Sequence, residues 1–330
     1  LSAMKDAVNG LIDNMSKQVN DTNKLKFALI PFSSFVNVGS GFGPKFDKKG
    51  RQIAGTGSAW LDLTGMNPIP QTELGIGASR FQLTENLGQS WSGCVETREA
   101  GDGDYGVSDT PPDPSEPASL FVPAFAVDEP DSGFINNYIS SDAKIKDKSA
   151  AEKKKRWSKY GVKADATGYP LLDGLLDPLV NVADLVVDLS GKKHIKIKKR
   201  TVNGYGETGP GFGCVSQPIT SLSSDYAGIK AKVGALKAEG NTNIMEGVAW
   251  GMRVLSPGEP FSQGADPKKN PNLQKIMIVL TDGSNVLGTT SSELGSTYSS
   301  FGYLVDGRLG ISAGGTSATN SAMNDRTLAA

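Results

Sequence analysis

Histidine, cysteine and net charge are all scarce in this chain, and each scarcity removes a class of function. One His among 330 residues leaves no convincing Ser-His or Cys-His partner set for nucleophilic catalysis. The only two cysteines, Cys94 and Cys214, lie far from the CxxC spacing of a zinc site. With 34 basic against 35 acidic residues the formal charge is -1, which gives no electrostatic case for nucleic acid or for an anionic membrane. Apolar runs are short: residues 276–280 (IMIVL) are too few to cross a bilayer. What remains, 38% hydrophobic and 21% charged, is enough to bury a sizeable core in one large domain or two ordinary ones.

The chain is rich in glycine, with 40 Gly beside 18 Pro, and this predicts much loop. The opening residues carry Leu1, Met4, Val8, Leu11 and Met15 at helical spacing. Residues 25–38 (LKFALIPFSSFVNV) then read as a strand. From Gly39 to about Gly213 the periodicity fails, and GSGFGPKF, DTPPDPSEP and AEKKKRWSKYG mark turns and solvated surface. This stretch reads as a loop-rich insertion whose Trp60, Phe81, Trp91, Phe121, Phe125 and Tyr138 form a satellite core. Order returns at Cys214. A strand is expected over 215–222, Ser224-Asp225 caps a helix striped by Tyr226, Ile229, Val233 and Leu236, and a second helix carries Val248, Met252 and Leu255.

The segment 276–285 (IMIVLTDGSN) is the focal feature. Five apolar residues stopped by Thr281-Asp282-Gly283 read as a buried strand ending in a carboxylate, and ligands of parallel α/β sheets bind at that edge. Two readings of Asp282 stay open, a cation or ligand contact and a simple cap of the following loop.

The stretches GNTNIMEGVAWGMRVLSP and KIMIVLTDGSN, in their order of helix, strand, insertion, strand and helix, resemble the second half of a von Willebrand factor type A domain. Together with FALIPFSSFVNVG, WSGCVETR, LFVPAFAVDEPD, SQPITSLSSDY and MNDRTLAA, they are similar to the TadG-type proteins of the bacterial Flp (Tad) pilus assembly system. The resemblance implies an α/β fold of von Willebrand A type, with a mostly parallel, Rossmann-like sheet that lacks pieces at both ends. Residues 1–38 and 214–330 would form that domain, and 39–213 the insertion. It also implies a metal-ion-dependent adhesion site in which Thr242 and Asp282 are ligands on adjacent loops. The Asp-x-Ser-x-Ser element of that site is absent from this chain and is expected upstream of Leu1.

Mg²⁺ or Mn²⁺ would then bind in the intact protein, and little or none in residues 1–330, because the ion needs more hard oxygen donors than these two supply. The implied role is protein binding in assembly or anchoring of a Flp pilus, with no reaction catalysed and with a partner that offers an acidic residue. The implied place is the bacterial cell envelope, periplasmic or extracytoplasmic, with membrane contact only through a segment before Leu1. A metal-assisted hydrolase using Asp282 and an outward-facing surface adhesin are the alternatives. In an extracytoplasmic protein Cys94 and Cys214 could pair, and two free buried thiols are the other possibility.

Three weaker signals complete the reading. The triplets Gly204-x-Gly206-x-x-Gly209 and Gly101-x-Gly103-x-x-Gly106 open no helix, so nucleotide binding is not expected. Asp102 and Asp104 read as an acidic turn rather than a calcium loop. His194, in KKHIKIKKR, reads as part of an edge strand guarded by lysines, with a basic patch for an envelope partner as its functional alternative.

Overall fold

The computed structural model describes residues 1–69, 74, 77–98, 104–129, 134–139, 150–163, 185–187 and 191–330. In chain order the regular elements are α1 (Ser2–Ser16), β1 (Phe27–Leu29), β2 (Val36–Asn37), α2 (Arg80–Asn86), β3 (Cys94–Val95), α3 (Ala150–Lys159), β4 (Leu185–Val187) and β5 (Lys193–Ile195). They continue with β6 (Thr201–Val202), β7 (Gly206–Glu207), β8 (Thr220–Ser223), α4 (Tyr226–Ala235), α5 (Ile244–Leu255) and α6 (Thr316–Ala329).

The helices follow their apolar spacing, with two shifts of face. In α1 the stripe passes through Val8 and Ile12, one i,i+4 step, and packs on Ile229 and Val233 of α4, while Leu11 faces solvent. The N-cap of α4 is Asp225, whose carboxylate accepts from the Gly228 N–H at 2.9 Å. Helix α5 buries Met245, Ala249, Trp250 and Val254, and leaves Val248, Met252 and Leu255 only partly covered. The expected stripe was therefore the wrong one, because the bulky Trp250 joins Phe121 and Phe261 and turns that side of the helix inward.

The mostly parallel von Willebrand A type sheet is not formed. Among the described residues every sheet has two strands, paired antiparallel: β1 with β8, β2 with β3, β4 with β5, and β6 with β7. The cause lies in two segments. After β1 the chain folds back through a bridge between Phe32 and Val36, so residues 25–38 form two short strands instead of one. Residues 276–280, expected as the buried strand, pair with no described strand, and all five side chains are at least 40% exposed.

The core belongs to both stretches of the chain. Val36, Trp60, Phe81, Trp91, Phe121, Ile219, Trp250 and Val254 form one cluster, while Phe35, Phe125, Tyr138, Trp157, Phe212 and Tyr298 belong to another. The aromatic residues of 39–213 thus pack directly on α5 and β2 rather than forming a satellite. A disulfide joins Cys94 and Cys214 across a sequence separation of 120.

Polar residues are buried at the centre as well. Glu96, 1% exposed, receives Arg80 and Arg308, each at 2.6 Å, and the Tyr298 hydroxyl donates to the same carboxylate. Burial opposes ionisation of Glu96, but the two guanidiniums and the tyrosine outweigh it and hold its pKa below the usual glutamate value. Arg98 and Arg253 flank the Phe121 ring at 4.7 and 5.2 Å, and bind the carbonyls of Tyr105, Gly106, Ser108, Thr110 and Ser119. Desolvation, with mutual repulsion added at Arg98, lowers their pKa values to about 9 and about 10.

Candidate functional site

The predicted site residues lie on two loops, one leading into α5 and one following residues 276–280. Gly240 turns the first loop with φ +79°, and a Cβ there would come within 2.9 Å of the Ser33 side chain, so glycine is required on both counts. Asn241 then donates its N–H to Ser34 Oγ at 3.2 Å and its side-chain amide to the Tyr205 hydroxyl at 3.2 Å. Asn243 caps α5 by accepting from the Glu246 N–H at 3.4 Å. Thr242 stands between these two fixed residues.

The second loop turns on Thr281, whose hydroxyl accepts from the Gly283 N–H at 3.3 Å. Asp282 sits at the crest of that turn and is exposed. Two bonds lace the loops together: the Val286 N–H donates to the Thr242 carbonyl at 2.9 Å, and the Ile244 N–H donates to Asn285 Oδ1 at 2.8 Å. Gly283 consequently lies against Thr242, where a Cβ would come 3.2 Å from the threonine hydroxyl. Thr242 and the neighbour of Asp282 are thus in contact, as expected of adjacent loops, although no parallel sheet carries them.

Beneath the loops a buried polar cluster anchors the start of α5. The Thr97 hydroxyl donates to the Glu246 carboxylate and lies 2.9 Å from the Ser300 hydroxyl, which accepts from Asn243 Nδ2 at 3.0 Å. Asn285, 1% exposed, also donates to Asn324 Oδ1 at 2.8 Å and Thr327 Oγ1 at 3.0 Å on α6. Reading the sequence for ligands missed Asn285, Glu246 and Glu96 altogether. The available signal was a charged residue inside an otherwise apolar or small-residue run, as Glu246 in IMEGVAW; CVETR and TDGSN carry no such contrast.

Thr242 and Asp282 do not by themselves make a metal centre. They offer one hydroxyl and one carboxylate, whereas Mg²⁺ takes a near-octahedral set of oxygens. Among the described residues no three His, Cys, Asp or Glu side chains gather into a metal-binding group.

The other sequence signals resolve into structure. Gly204, Gly206 and Gly209, all with positive φ, belong to the β6–β7 hairpin and its exit, and no helix follows them. Asp104 forms a two-bond pair with Arg326 of α6 at 2.9 Å per bond, while Asp102, Gly101 and Gly103 lie outside the described residues. His194 sits in β5 with Nδ1 3.0 Å from the Glu85 carbonyl, at a small recess also lined by Lys49, Asn86, Lys192 and Lys193. Lys192 pairs there with Glu85 at 2.7 Å. No helix among the described residues is long and apolar enough to cross a membrane. Set against family models, curated proteins and solved structures, the chain gives no match.

Proposed function

We propose that this chain is a protein-binding module of a bacterial cell-envelope protein, acting in assembly or anchoring of a Flp (Tad) pilus and catalysing no reaction. The observation that carries the reading is the pair of hydrogen bonds that ties the loop of the exposed Asp282 to the loop of Thr242, with Gly283 close against the threonine side chain. A solvent-facing carboxylate on a tied loop is suited to recognition, since the loop backbone loses little conformational entropy when a partner arrives. The disulfide supports an oxidising compartment, periplasmic or extracytoplasmic. The sequence likeness to TadG-type proteins supports the pilus context. Binding of Mg²⁺ or Mn²⁺, and of a partner's acidic residue through the ion, belongs on this reading to a longer parent protein that adds oxygen donors.

A photo-crosslinker placed at Ser284 in the parent protein tests this. Crosslinks to pilus-assembly or other envelope proteins are expected, and Asp282→Ala or EDTA should abolish them. Equal crosslinking with and without Asp282, or fractionation of the protein to the cytosol, would contradict the proposal. In calorimetry residues 1–330 alone should take up little Mn²⁺, and Thr242→Ala should weaken binding by the parent.

A further inference from the structure

A second set of reactive groups lies inside the core, apart from that edge, where α3 meets residues 124–129. Lys159 on α3 and Asp128 stand 31 residues apart in sequence, with side chains only 7% and 0% exposed. Lys159 Nζ is 2.7 Å from Asp128 Oδ2, yet Oδ2 accepts no hydrogen bond, so the amine sits close to the carboxyl group without being aligned as a donor to it. The other oxygen is held firmly. Oδ1 accepts from the backbone N–H groups of Tyr138 and Ile139, each at 2.6 Å. The Asp128 N–H donates to the Tyr160 hydroxyl at 2.8 Å, and Lys159 Nζ donates to the Asp128 carbonyl at 3.1 Å, which fixes the end of α3 against Asp128. Val127, Tyr138, Ile139, Trp157 and Tyr160, neighbours of the pair, belong to one buried cluster. Two ions are costly in such a place, and burial raises the pKa of Asp128 from 3.8 despite the lysine.

We propose that Lys159 and Asp128 join in an intramolecular amide, a covalent crosslink between side chains that needs no second molecule. Water is the only by-product. A proton moves from Nζ to Oδ2, which leaves a free amine, the nucleophilic form of lysine. Nζ attacks Cγ, and negative charge develops on Oδ1, where the N–H groups of Tyr138 and Ile139 are already aimed in the manner of an oxyanion hole. One proton then passes from Nζ to Oδ2, the Cγ–Oδ2 bond breaks, and water leaves as the amide forms. Both reacting groups are in place beforehand, which lowers the entropic barrier that such a condensation meets in solution. The product exchanges a buried ion pair for a neutral amide whose carbonyl keeps both of its donors. Unlike the disulfide, this bond survives reducing agents. Once it has formed Asp128 no longer titrates, so pH dependence from this carboxyl belongs to the open pair.

Mass spectrometry of the folded full chain, after reduction, tests the proposal. The mass should fall about 18 Da below that of the sequence, one water lost, and a tryptic digest should contain a branched peptide that joins residues 128 and 159. Lys159→Met should restore the full mass. Asp128→Asn should still react, losing ammonia in place of water, so that its deficit becomes about 17 Da. Should either variant fail to fold, the branched peptide of the original chain decides alone. Full mass in the folded, reduced original, or a deficit that persists in Lys159→Met, would overturn the inference.

Discussion

Two five-residue stretches of this chain reverse what their side chains suggest. Residues 94–98 (CVETR) carry a glutamate, a threonine and an arginine, yet these three are at most 4% exposed. Residues 276–280 (IMIVL) are wholly apolar, yet each is at least 40% exposed. The difference lies in the backbone. Val95 pairs with Val36, the Glu96 N–H donates to the Val122 carbonyl, and the Thr97 N–H donates to the Ser300 carbonyl, so the first stretch has neighbours on both sides. The second has none among the described residues. Burial of a strand requires its amides to be satisfied, and once they are, charged side chains can be carried inside if they bring their own partners.

The disulfide at the head of the buried stretch should have the largest effect. Cys94→Ser with Cys214→Ser opens a loop spanning 120 residues. By the chain-entropy model the loss is about 4–5 kcal/mol, readable in urea unfolding of the oxidised chain against the double variant. Free thiols in the denatured, unreduced protein would remove that expectation.

Next comes Glu96. Replacement by Gln leaves Arg80 and Arg308 buried without their shared carboxylate, at a cost of about 3–5 kcal/mol. Its folded pKa is lowered from 4.5, so its contribution is complete above that value and is lost as pH falls through the lowered one. The melting temperature of the original chain should therefore drop steeply in acid, and that of Glu96→Gln should start lower and vary less. Asp128 runs the other way. Burial raises its pKa from 3.8 despite the Lys159 pair, so its contribution is present below 3.8 and lost as pH rises through the raised value.

Asn285→Ala removes one acceptor and two donors that lace α5 and α6 to the Asp282 loop, with an expected loss of about 1–3 kcal/mol. It should also weaken partner crosslinking near Asp282, because the edge is no longer held. Smallest of all is Ile278→Ser, which should change monomer stability by less than about 0.5 kcal/mol, since the side chain is already exposed. A loss comparable to that of Glu96→Gln would show that the apolar stretch is buried in solution.

The sequence was most legible where a local pattern decides the outcome. The Asp225 cap and the Ile229 and Val233 stripe follow from spacing and turn chemistry, whereas the nearness of the Thr242 and Asp282 loops was expected only from the family resemblance. What it did not convey was pairing. An apolar run ending in Asp-Gly is the same string whether its amides are bonded or free, so IMIVL read as a buried strand, and the resemblance then implied a parallel sheet. The face of α5 was misjudged for a related reason, since Trp250 buries by meeting Phe121 and Phe261 from distant parts of the chain. The polar hub at Glu96 needs Arg80 and Arg308, which are separated from it by 16 and 212 residues, and no local pattern announces such a set.

Hydrogen exchange read by mass spectrometry, peptide by peptide, compares the two stretches directly. At high dilution the amides of 94–98 should be protected to the level of global unfolding, while those of 276–280 exchange at the rate of open chain. Protection of 276–280 equal to that of 94–98 at every dilution would contradict the account.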